Sequence, residues 1–220
     1  MEPILSPRVK ICCIMSRGEA RMAVTAGASA LGLVSNMPSG PGVIPDEEIA
    51  AIAAIVPVPV ATVLLTSRRL AEEIVAQHRH VRTSVIQIVD SLPSGAHAQL
   101  RERLPGIRLM QVIHVLDEGA IDDALSLDGS VDAVLLDSGR PHMSVKELGG
   151  TGRRHDWTIS RRIREALNIP VFLAGGLRPE NVREAIAAVG PFGLDVCTGV
   201  RTDGGLDPSK LAAFMKAAKE

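Results

Sequence analysis

The stretch Val9-Lys10-Ile11-Cys12-Cys13-Ile14 is a short apolar run that carries thiols near its end, close to the N-terminus. Far downstream, Ala133-Val134-Leu135-Leu136-Asp137 is a second apolar run, and it ends in a carboxylate. A thiol whose pKa falls can act as a base, and a carboxylic acid whose pKa rises can act as an acid. Because the C-terminal ends of different strands converge on one site in a (β/α)₈ barrel, the two runs predict a barrel enzyme with Cys12 and Asp137 at one rim.

Short apolar runs alternate with helix-type segments along the rest of the chain. Several runs are continuously apolar, which is typical of parallel strands covered on both faces. The predicted strands are residues 9–14, 30–34, 58–65, 84–89, 108–115, 132–137, 170–174 and 194–198. The predicted helices are residues 17–26, 46–55, 67–78, 95–103, 118–125, 158–166, 179–187 and 208–218.

Eight β-α units in 220 residues predict one (β/α)₈ barrel domain over residues 1–220. A doubly wound open sheet is the structural alternative, but no GxGxxG motif follows the first strand. At the helix ends, Ser67 and Thr158 are expected to act as N-caps, and Gly27 is expected to end a helix. Pro179 and Pro208 suit the first turn of a helix.

Composition excludes several classes of protein. Hydrophobic residues make up 46% of the chain, whereas aromatic residues make up only 2%, so the core must be aliphatic and platforms for stacking nucleic-acid bases are missing. The net charge of −1 gives no broad field for nucleic acid or an anionic membrane, and no apolar run reaches transmembrane length. Three cysteines without CxxC spacing argue against a disulfide framework and a zinc site. These features predict a cytoplasmic protein without a bound metal.

Cys12 and Asp137 each have a purely structural alternative. A free cysteine is commonly a small buried hydrophobe, so Cys12 can simply belong to the core. A carboxylate at the end of an apolar strand is expensive to bury unpaired, and Asp137 can instead be a helix cap or half of a structural ion pair. Position alone leaves both alternatives open.

Two glycine turns follow the last two predicted strands and suggest a phosphate site. The first contains Gly175 and Gly176, and the second contains Thr198 and Gly199. Backbone N–H groups in such turns can bind an anion, and barrel phosphate sites commonly lie on these two loops. Tight strand–helix turns are the structural alternative. The sequence 149–152, Gly-Gly-Thr-Gly, lies in the long loop after Asp137 and is expected to form a lid in which Gly150 contacts phosphate.

At this point the chain resembles the phosphoribosylanthranilate isomerase family of tryptophan biosynthesis, and the resemblance covers nearly the whole chain. The residues that carry it form motifs in a specific order: Lys10-Ile11-Cys12, the sequence AGASALG at 26–32, LLDS at 135–138, GGTG at 149–152 with Asp156-Trp157, LAGGLRPENV at 173–182, and DVCTGV at 195–200. The resemblance implies a (β/α)₈ barrel and an Amadori rearrangement that needs no cofactor or metal.

The resemblance also implies roles for individual residues. Cys12 occupies the position of the family's general base and Asp137 that of its general acid. Asp195 is expected to contact the substrate, which is a small phosphorylated sugar. A monomer or a homodimer is expected, with no nucleic-acid or membrane partner.

Some positions depart from the family pattern. Cys13 stands where the family has glycine, and Met15 where it has threonine. The segment 38–43 lacks the arginine that contacts the anthranilate carboxylate in the family, and residues 87–90 lack a histidine. A lid arginine could replace the carboxylate contact, and Arg153 and Arg154 are the expected candidates, with Arg140 as another.

Three hypotheses are compatible with this pattern. The first is a phosphoribosylanthranilate isomerase or a close paralogue of it. The second is an isomerase or lyase-type paralogue that keeps the phosphosugar end of the site but takes a different aglycone. The third is a non-catalytic barrel that binds phosphosugars, which the retention of Cys12 and Asp137 disfavours.

Overall fold

The computed structural model describes residues 6–140, 143, 145–149 and 152–220. Eight parallel strands form a closed barrel in sequential order, and the eighth strand pairs with the first. The strands are β1 (Arg8–Ile11), β2 (Ala30–Val34), β3 (Ala61–Thr66), β4 (Val85–Ile88), β5 (Arg108–His114), β6 (Ala133–Asp137), β7 (Val171–Leu173) and β8 (Gly193–Val196). The predicted (β/α)₈ barrel is therefore confirmed.

A helix follows each strand, and the described residues contain eight of them. They are α1 (Arg17–Thr25), α2 (Asp46–Ala53), α3 (Ala71–Val81), α4 (Ala96–Arg103), α5 (Gly119–Leu125), α6 (Trp157–Ala166), α7 (Val182–Val189) and α8 (Pro208–Ala217). A short 3₁₀ helix (Thr198–Val200) and a hairpin of β9 (Arg201–Thr202) and β10 (Gly205–Leu206) separate β8 from α8.

Three predictions at helix N-termini are wrong. The Ser67 hydroxyl donates to the carbonyl of Asn36 instead of capping α3, which begins at Ala71. The N-cap of α6 is Asp156, whose carboxylate accepts from the N–H of Thr158, so Thr158 already lies inside the helix. Pro179 precedes α7 by a full turn.

Two other helix signals are confirmed. Pro208 occupies the first turn of α8. Gly27 has φ +93° and follows Ala26, the C-cap of α1, so it ends the helix in the left-handed conformation that glycine adopts readily.

Strand boundaries differ from the prediction mainly at their ends. The predicted third strand began at Val58, but Val58 is fully exposed, and the N–H of Val60 closes a turn by donating to Pro57. β1 ends at Ile11 and β8 at Val196, so Cys12 and Cys197 both lie just beyond a strand. Because these strands are short, both thiols lie at the start of the loops that follow the strands. These loops form the C-terminal face of the barrel, where the active sites of this fold lie.

Side chains alternate between two apolar layers, as the period of a β-strand requires. Outward residues such as Leu31 and Leu33 pack against the helices in a large aliphatic cluster. Inward residues such as Ala30, Val34 and Leu135 fill the barrel in a smaller cluster, which also contains Cys12. The interior is therefore a packed core with the site above it.

Candidate active site

Cys12 lies at the mouth of the barrel, between its first and last strands. Its backbone N–H donates to the carbonyl of Val196 at 2.8 Å, which continues the pairing of β1 with β8 by one residue. The side chain is buried and lines the central pocket. A Cβ added to Gly32 of β2 would lie 2.7 Å from the Cys12 Sγ, so only glycine at position 32 leaves room for this thiol.

Lys10 is fully buried below Cys12, and the sequence motif that contains it did not predict a role for its side chain. Its Nζ lies 2.7 Å from Asp195 Oδ1 and 3.4 Å from Cys12 Sγ. Burial by itself lowers the pKa of Lys10, but the charges of Asp195 and Cys12 outweigh burial and raise that pKa well above its usual value. A permanent cation therefore lies beside Cys12. The signal for it was a lone charge within an apolar run.

The pKa of Cys12 is lowered, and the hydrogen bond from the Cys13 thiol is the largest cause. Burial and the charge of Asp195 oppose this shift, whereas Lys10 reinforces it. A lowered pKa favours the thiolate form, which is the form of a cysteine that can accept a proton. Because the strand ends at Ile11, Cys12 and Cys13 do not alternate between opposite faces, and both thiols line the pocket.

Cys13 has φ +62°, a left-handed conformation that costs a non-glycine residue about 1–2 kcal/mol. Position 13 is where the family pattern has glycine, the residue that adopts this conformation most readily. The Sγ atoms of Cys13 and Cys197 lie only 2.6 Å apart. The pKa of Cys13 is raised well above its usual value, first by its hydrogen bond to Cys12 and then by that to Cys197.

Asp137 is the last residue of β6 and is buried at the same barrel mouth. Its Oδ1 accepts a hydrogen bond of 2.7 Å from the N–H of Ser138. Burial raises the pKa of Asp137 and outweighs this hydrogen bond, so the carboxyl group holds a proton more readily than an exposed one. Within the described part of the chain Asp137 neither caps a helix nor joins an ion pair, so these structural alternatives do not apply there.

One pocket brings the predicted acid and base together. Cys12 and Asp137 both line an open cleft of about 680 Å³, solvent at its mouth included. Gln87 and Asp195 are further polar residues of the lining, and apolar walls come from side chains such as Leu65. The Gln87 Oε1 is buried and has no hydrogen-bond partner among the described residues. Sequence reasoning missed Gln87 as a site residue, although a polar side chain at the end of a buried strand was the available signal.

The two glycine turns meet at one side of this pocket. Gly175, Gly176 and Thr198 line it, and the N–H groups of Gly175 and Gly176 donate to no other group in the described part of the chain. Gly199 lies where the two turns touch, since a Cβ there would come within 2.0 Å of the Leu177 carbonyl oxygen. Turns of this kind can bind an anion through their backbone N–H groups.

The loop after β6 covers the pocket and is attached at several points. Gly149 and Gly152 line the pocket, whereas Gly150, predicted to contact phosphate, lies outside the described residues. Lys146 forms an ion pair with Asp90, and its carbonyl accepts from the Ser39 hydroxyl at 2.6 Å. These contacts hold the loop against the ends of β2 and β4.

The two lid arginines do not line the pocket in this structure. Arg153 forms an ion pair with Glu147. The Arg154 guanidinium stacks on Trp157 at 3.4 Å from the ring centre and pairs with Glu184 at 2.9 Å. Both guanidinium groups therefore contact carboxylates, while the backbone carbonyl of Arg153 accepts from the Ser138 hydroxyl.

An eight-stranded parallel barrel with a thiol and a carboxyl group in one pocket at its C-terminal face has the architecture of a (β/α)₈-barrel enzyme. Residues 9–217 match the family described as N-(5'-phosphoribosyl)anthranilate (PRA) isomerase. The chain belongs to this family and is an isomerase. No helix in the described part of the chain has the length and apolar character needed to cross a lipid bilayer.

Individual relatives agree with the family match. The N-(5'-phosphoribosyl)anthranilate isomerase of Methanocella arvoryzae is 35% identical over 89% of this chain and 90% of its own length. That of Natronomonas pharaonis is 36% identical over 96% and 97%. The crystal structure of the Thermotoga maritima phosphoribosylanthranilate isomerase superposes with a TM-score of 0.83 at 31% identity, covering 97% of this chain and 98% of that one.

Proposed function

We propose that the chain isomerises N-(5'-phosphoribosyl)anthranilate in tryptophan biosynthesis, with Cys12 as general base and Asp137 as general acid. The observation that carries this proposal is that one pocket receives both groups and shifts their pKa values in the directions that these roles require. The pKa of Cys12 is lowered toward the thiolate form, and that of Asp137 is raised toward the protonated form. Pairs of groups whose environments separate their pKa values in this way are typical of acid–base enzymes.

The proposed reaction begins with a proton transfer from Asp137 to the ribose ring oxygen. The C1–O bond opens as the anthranilate nitrogen donates its electron pair, and a protonated imine forms. The Cys12 thiolate then removes the proton from C2, and the electrons of that bond flow into the imine to give the enolamine. Tautomerisation of the enolamine yields the aminodeoxyketose, so the substrate nitrogen serves as the electron sink throughout.

Lys10 and Asp195 support the base without taking the proton themselves. The ammonium group of Lys10 contacts the Cys12 sulfur directly and stabilises its thiolate. Asp195 holds Lys10 in place and also lines the pocket, where a hydroxyl group of the opened sugar can donate to its carboxylate. We propose that Asp195 contacts the substrate in this way.

The substrate phosphate is proposed to bind at the two glycine turns, through Gly175, Gly176, Thr198 and Gly199. Support comes from the unengaged N–H groups of Gly175 and Gly176, which point to an anion rather than a cation as the ligand. Gly150 of the lid is a further proposed contact. Inorganic phosphate should inhibit competitively with the phosphorylated substrate, and non-competitive inhibition would place the anion elsewhere.

A second candidate function is the same rearrangement on a phosphosugar with a different aglycone. One observation favours it: among the described residues that line the pocket, none is a lysine or an arginine, so no cation faces the anthranilate carboxylate. Closure of the lid with Arg153 turned inward would supply one. An uncharged or cationic aglycone would need no such change.

Turnover of purified N-(5'-phosphoribosyl)anthranilate by the purified protein tests the first function against the second. Complementation of a tryptophan auxotroph that lacks this isomerase provides the matching test in cells, with Cys12→Ser as the inactive control. Turnover and rescue by the wild type alone would support the proposal. Phosphate binding without turnover of this substrate would favour the second function.

A further inference from the structure

Closure of the barrel brings two thiols into contact beside the proposed active site. β1 and β8 pair in parallel, and their register places Ile11 opposite Val196. The chain leaves both strands one residue later, and the left-handed backbone at Cys13 places its side chain against Cys197. The Sγ–Sγ distance of 2.6 Å is closer to an S–S bond of about 2.05 Å than to a separation of unrelated side chains.

The two thiols differ in their access to solvent. Cys13 is buried, whereas Cys197 is only partly buried and lines the pocket, where small solutes can enter. The proposed acid–base reaction uses neither Cys13 nor Cys197 as a reacting group. The described residues contain no group of three or more His, Cys, Asp or Glu side chains that could hold a metal ion.

We propose that Cys13 and Cys197 form an oxidisable dithiol that reacts with hydrogen peroxide to give an intrachain disulfide at the rim of the active site. The Cys197 thiolate attacks one peroxide oxygen, the O–O bond breaks, and hydroxide leaves as water after taking up a proton. Cys197 is then a sulfenic acid. The Cys13 sulfur attacks the Cys197 sulfur, an S–S bond forms, and the second oxygen leaves as water. Two thiols and one peroxide thus give one disulfide and two waters.

The order of the two steps follows from the environments of the thiols. The pKa of Cys13 is raised, so this thiol is a poor first nucleophile, and the more accessible Cys197 reacts first. Cys13 is already in contact with Cys197 and therefore needs no rearrangement to resolve the sulfenic acid. A dithiol with one accessible and one buried member is suited to a single reversible oxidation.

Oxidation should also slow the isomerase reaction, and this part of the inference rests on the proposed function. The Cys13 thiol lines the pocket beside Cys12 and is the largest cause of the lowered pKa of Cys12, and a disulfide removes its S–H group. Loss of one hydrogen bond to a charged group corresponds to roughly a tenfold lower kcat/KM, or about 1.4 kcal/mol. The disulfide would also fix the turn that carries Thr198, one of the proposed phosphate contacts.

The cross-link is tested without reference to activity in the Cys12→Ser variant, which retains only the two thiols of the pair. Reduced, anaerobic protein is treated with one equivalent of hydrogen peroxide, alkylated and digested with trypsin. The digest places Cys13 in residues 11–17 and Cys197 in residues 184–201. The expected product is these two peptides joined by a disulfide in monomeric protein, with both thiols recovered after dithiothreitol. Should this variant fold poorly, fragmentation of the 11–17 peptide from the wild type distinguishes Cys13 from Cys12.

Activity before and after oxidation is compared within each variant, so that altered basal rates do not matter. Oxidation should lower the kcat/KM of the wild type about tenfold, and dithiothreitol should restore it. The kcat/KM of Cys197→Ser should show no loss that dithiothreitol reverses, because the Cys13–Cys197 disulfide cannot form. Thiols that stay reduced in excess peroxide, sulfinic acid without a cross-link, or a disulfide between two chains would each overturn the proposal. A cross-link in protein that does not turn over phosphoribosylanthranilate would uphold the dithiol and refute only the proposed function.

Discussion

Replacing Lys10 by methionine should raise the pKa of Cys12 and move the acidic limb of the pH profile of kcat/KM to higher pH. Methionine approximates the length of the buried lysine stem but carries no charge. The Cys12 thiolate then loses the cation that lies 3.4 Å from its sulfur. A group that is active when deprotonated needs a higher pH once its pKa rises, so activity at neutral pH falls while activity at alkaline pH is largely kept.

The size of the effect follows from the geometry. Two unit charges 3.4 Å apart interact by about 5 kcal/mol at an effective dielectric constant of about 20, which is an upper bound on the stabilisation that the Cys12 thiolate loses. Asp195 lies 2.7 Å from the same ammonium group and cancels part of this field at Cys12. The kcat/KM at neutral pH is therefore expected to fall by roughly ten- to a thousandfold, which is less than the upper bound implies.

The assay measures kcat/KM over the range from about pH 6 to about pH 10. The rate at which iodoacetamide alkylates Cys12 is measured over the same range, with mass spectrometry identifying the alkylated residue. Asp195→Asn is the matched control. It breaks the same ion pair but removes the negative charge that raises the pKa of Cys12, so it should shift the limb the opposite way. Thermal unfolding confirms that each variant is folded, because an unpaired buried charge can cost about 3–5 kcal/mol. Losses of activity in both variants without any shift of the limb would refute the role of Lys10.

Three further predictions concern the lid and the phosphate turns. Burial lowers the pKa of His155 to about 4, so the free energy of unfolding should fall by up to about 3 kcal/mol as the pH drops from about 6.5 to about 4. Urea unfolding should show a weaker pH dependence in His155→Gln, and the same pH dependence in both proteins would contradict the prediction. Gly199→Ala should weaken competitive inhibition by phosphate at least tenfold and lower the free energy of unfolding by about 1–3 kcal/mol. Gly205→Ala should change neither quantity, because its added Cβ would lie 3.7 Å from the nearest atom, the Thr202 carbonyl oxygen. Arg153→Ala should raise KM for phosphoribosylanthranilate about tenfold with phosphate inhibition intact, and Arg154→Ala should leave KM unchanged. A KM unaffected by either change would exclude a carboxylate contact from Arg153 and Arg154.

The barrel was predictable from the sequence because each strand carries its own signal. Residues 30–34 were predicted as a strand with the observed boundaries, and the apolar run that ends in Asp137 was predicted to within one residue. A continuous apolar run of only five residues between helix-type segments favours a strand that is buried on both faces. The order of the strands then followed from the alternation with helices.

Other features depend on contacts between distant parts of the chain and could not be predicted locally. The Lys10–Asp195 ion pair joins residues 185 positions apart, and it exists only because the last strand closes against the first. The same closure brings Cys13 against Cys197. The predictions of helix N-termini failed for a different reason. The Ser67 hydroxyl donates to an acceptor on a neighbouring loop, and the local sequence does not predict that partner.

The central claim is that Cys12 and Asp137 are the base and the acid of one reaction. It is tested most directly by the kcat of Cys12→Ser and Asp137→Asn on N-(5'-phosphoribosyl)anthranilate, measured in folded protein whose inhibition by phosphate is unchanged. Each substitution should lower kcat by roughly 10²–10⁴-fold, the usual contribution of a positioned acid or base. Near-normal turnover in either variant would contradict the assignment.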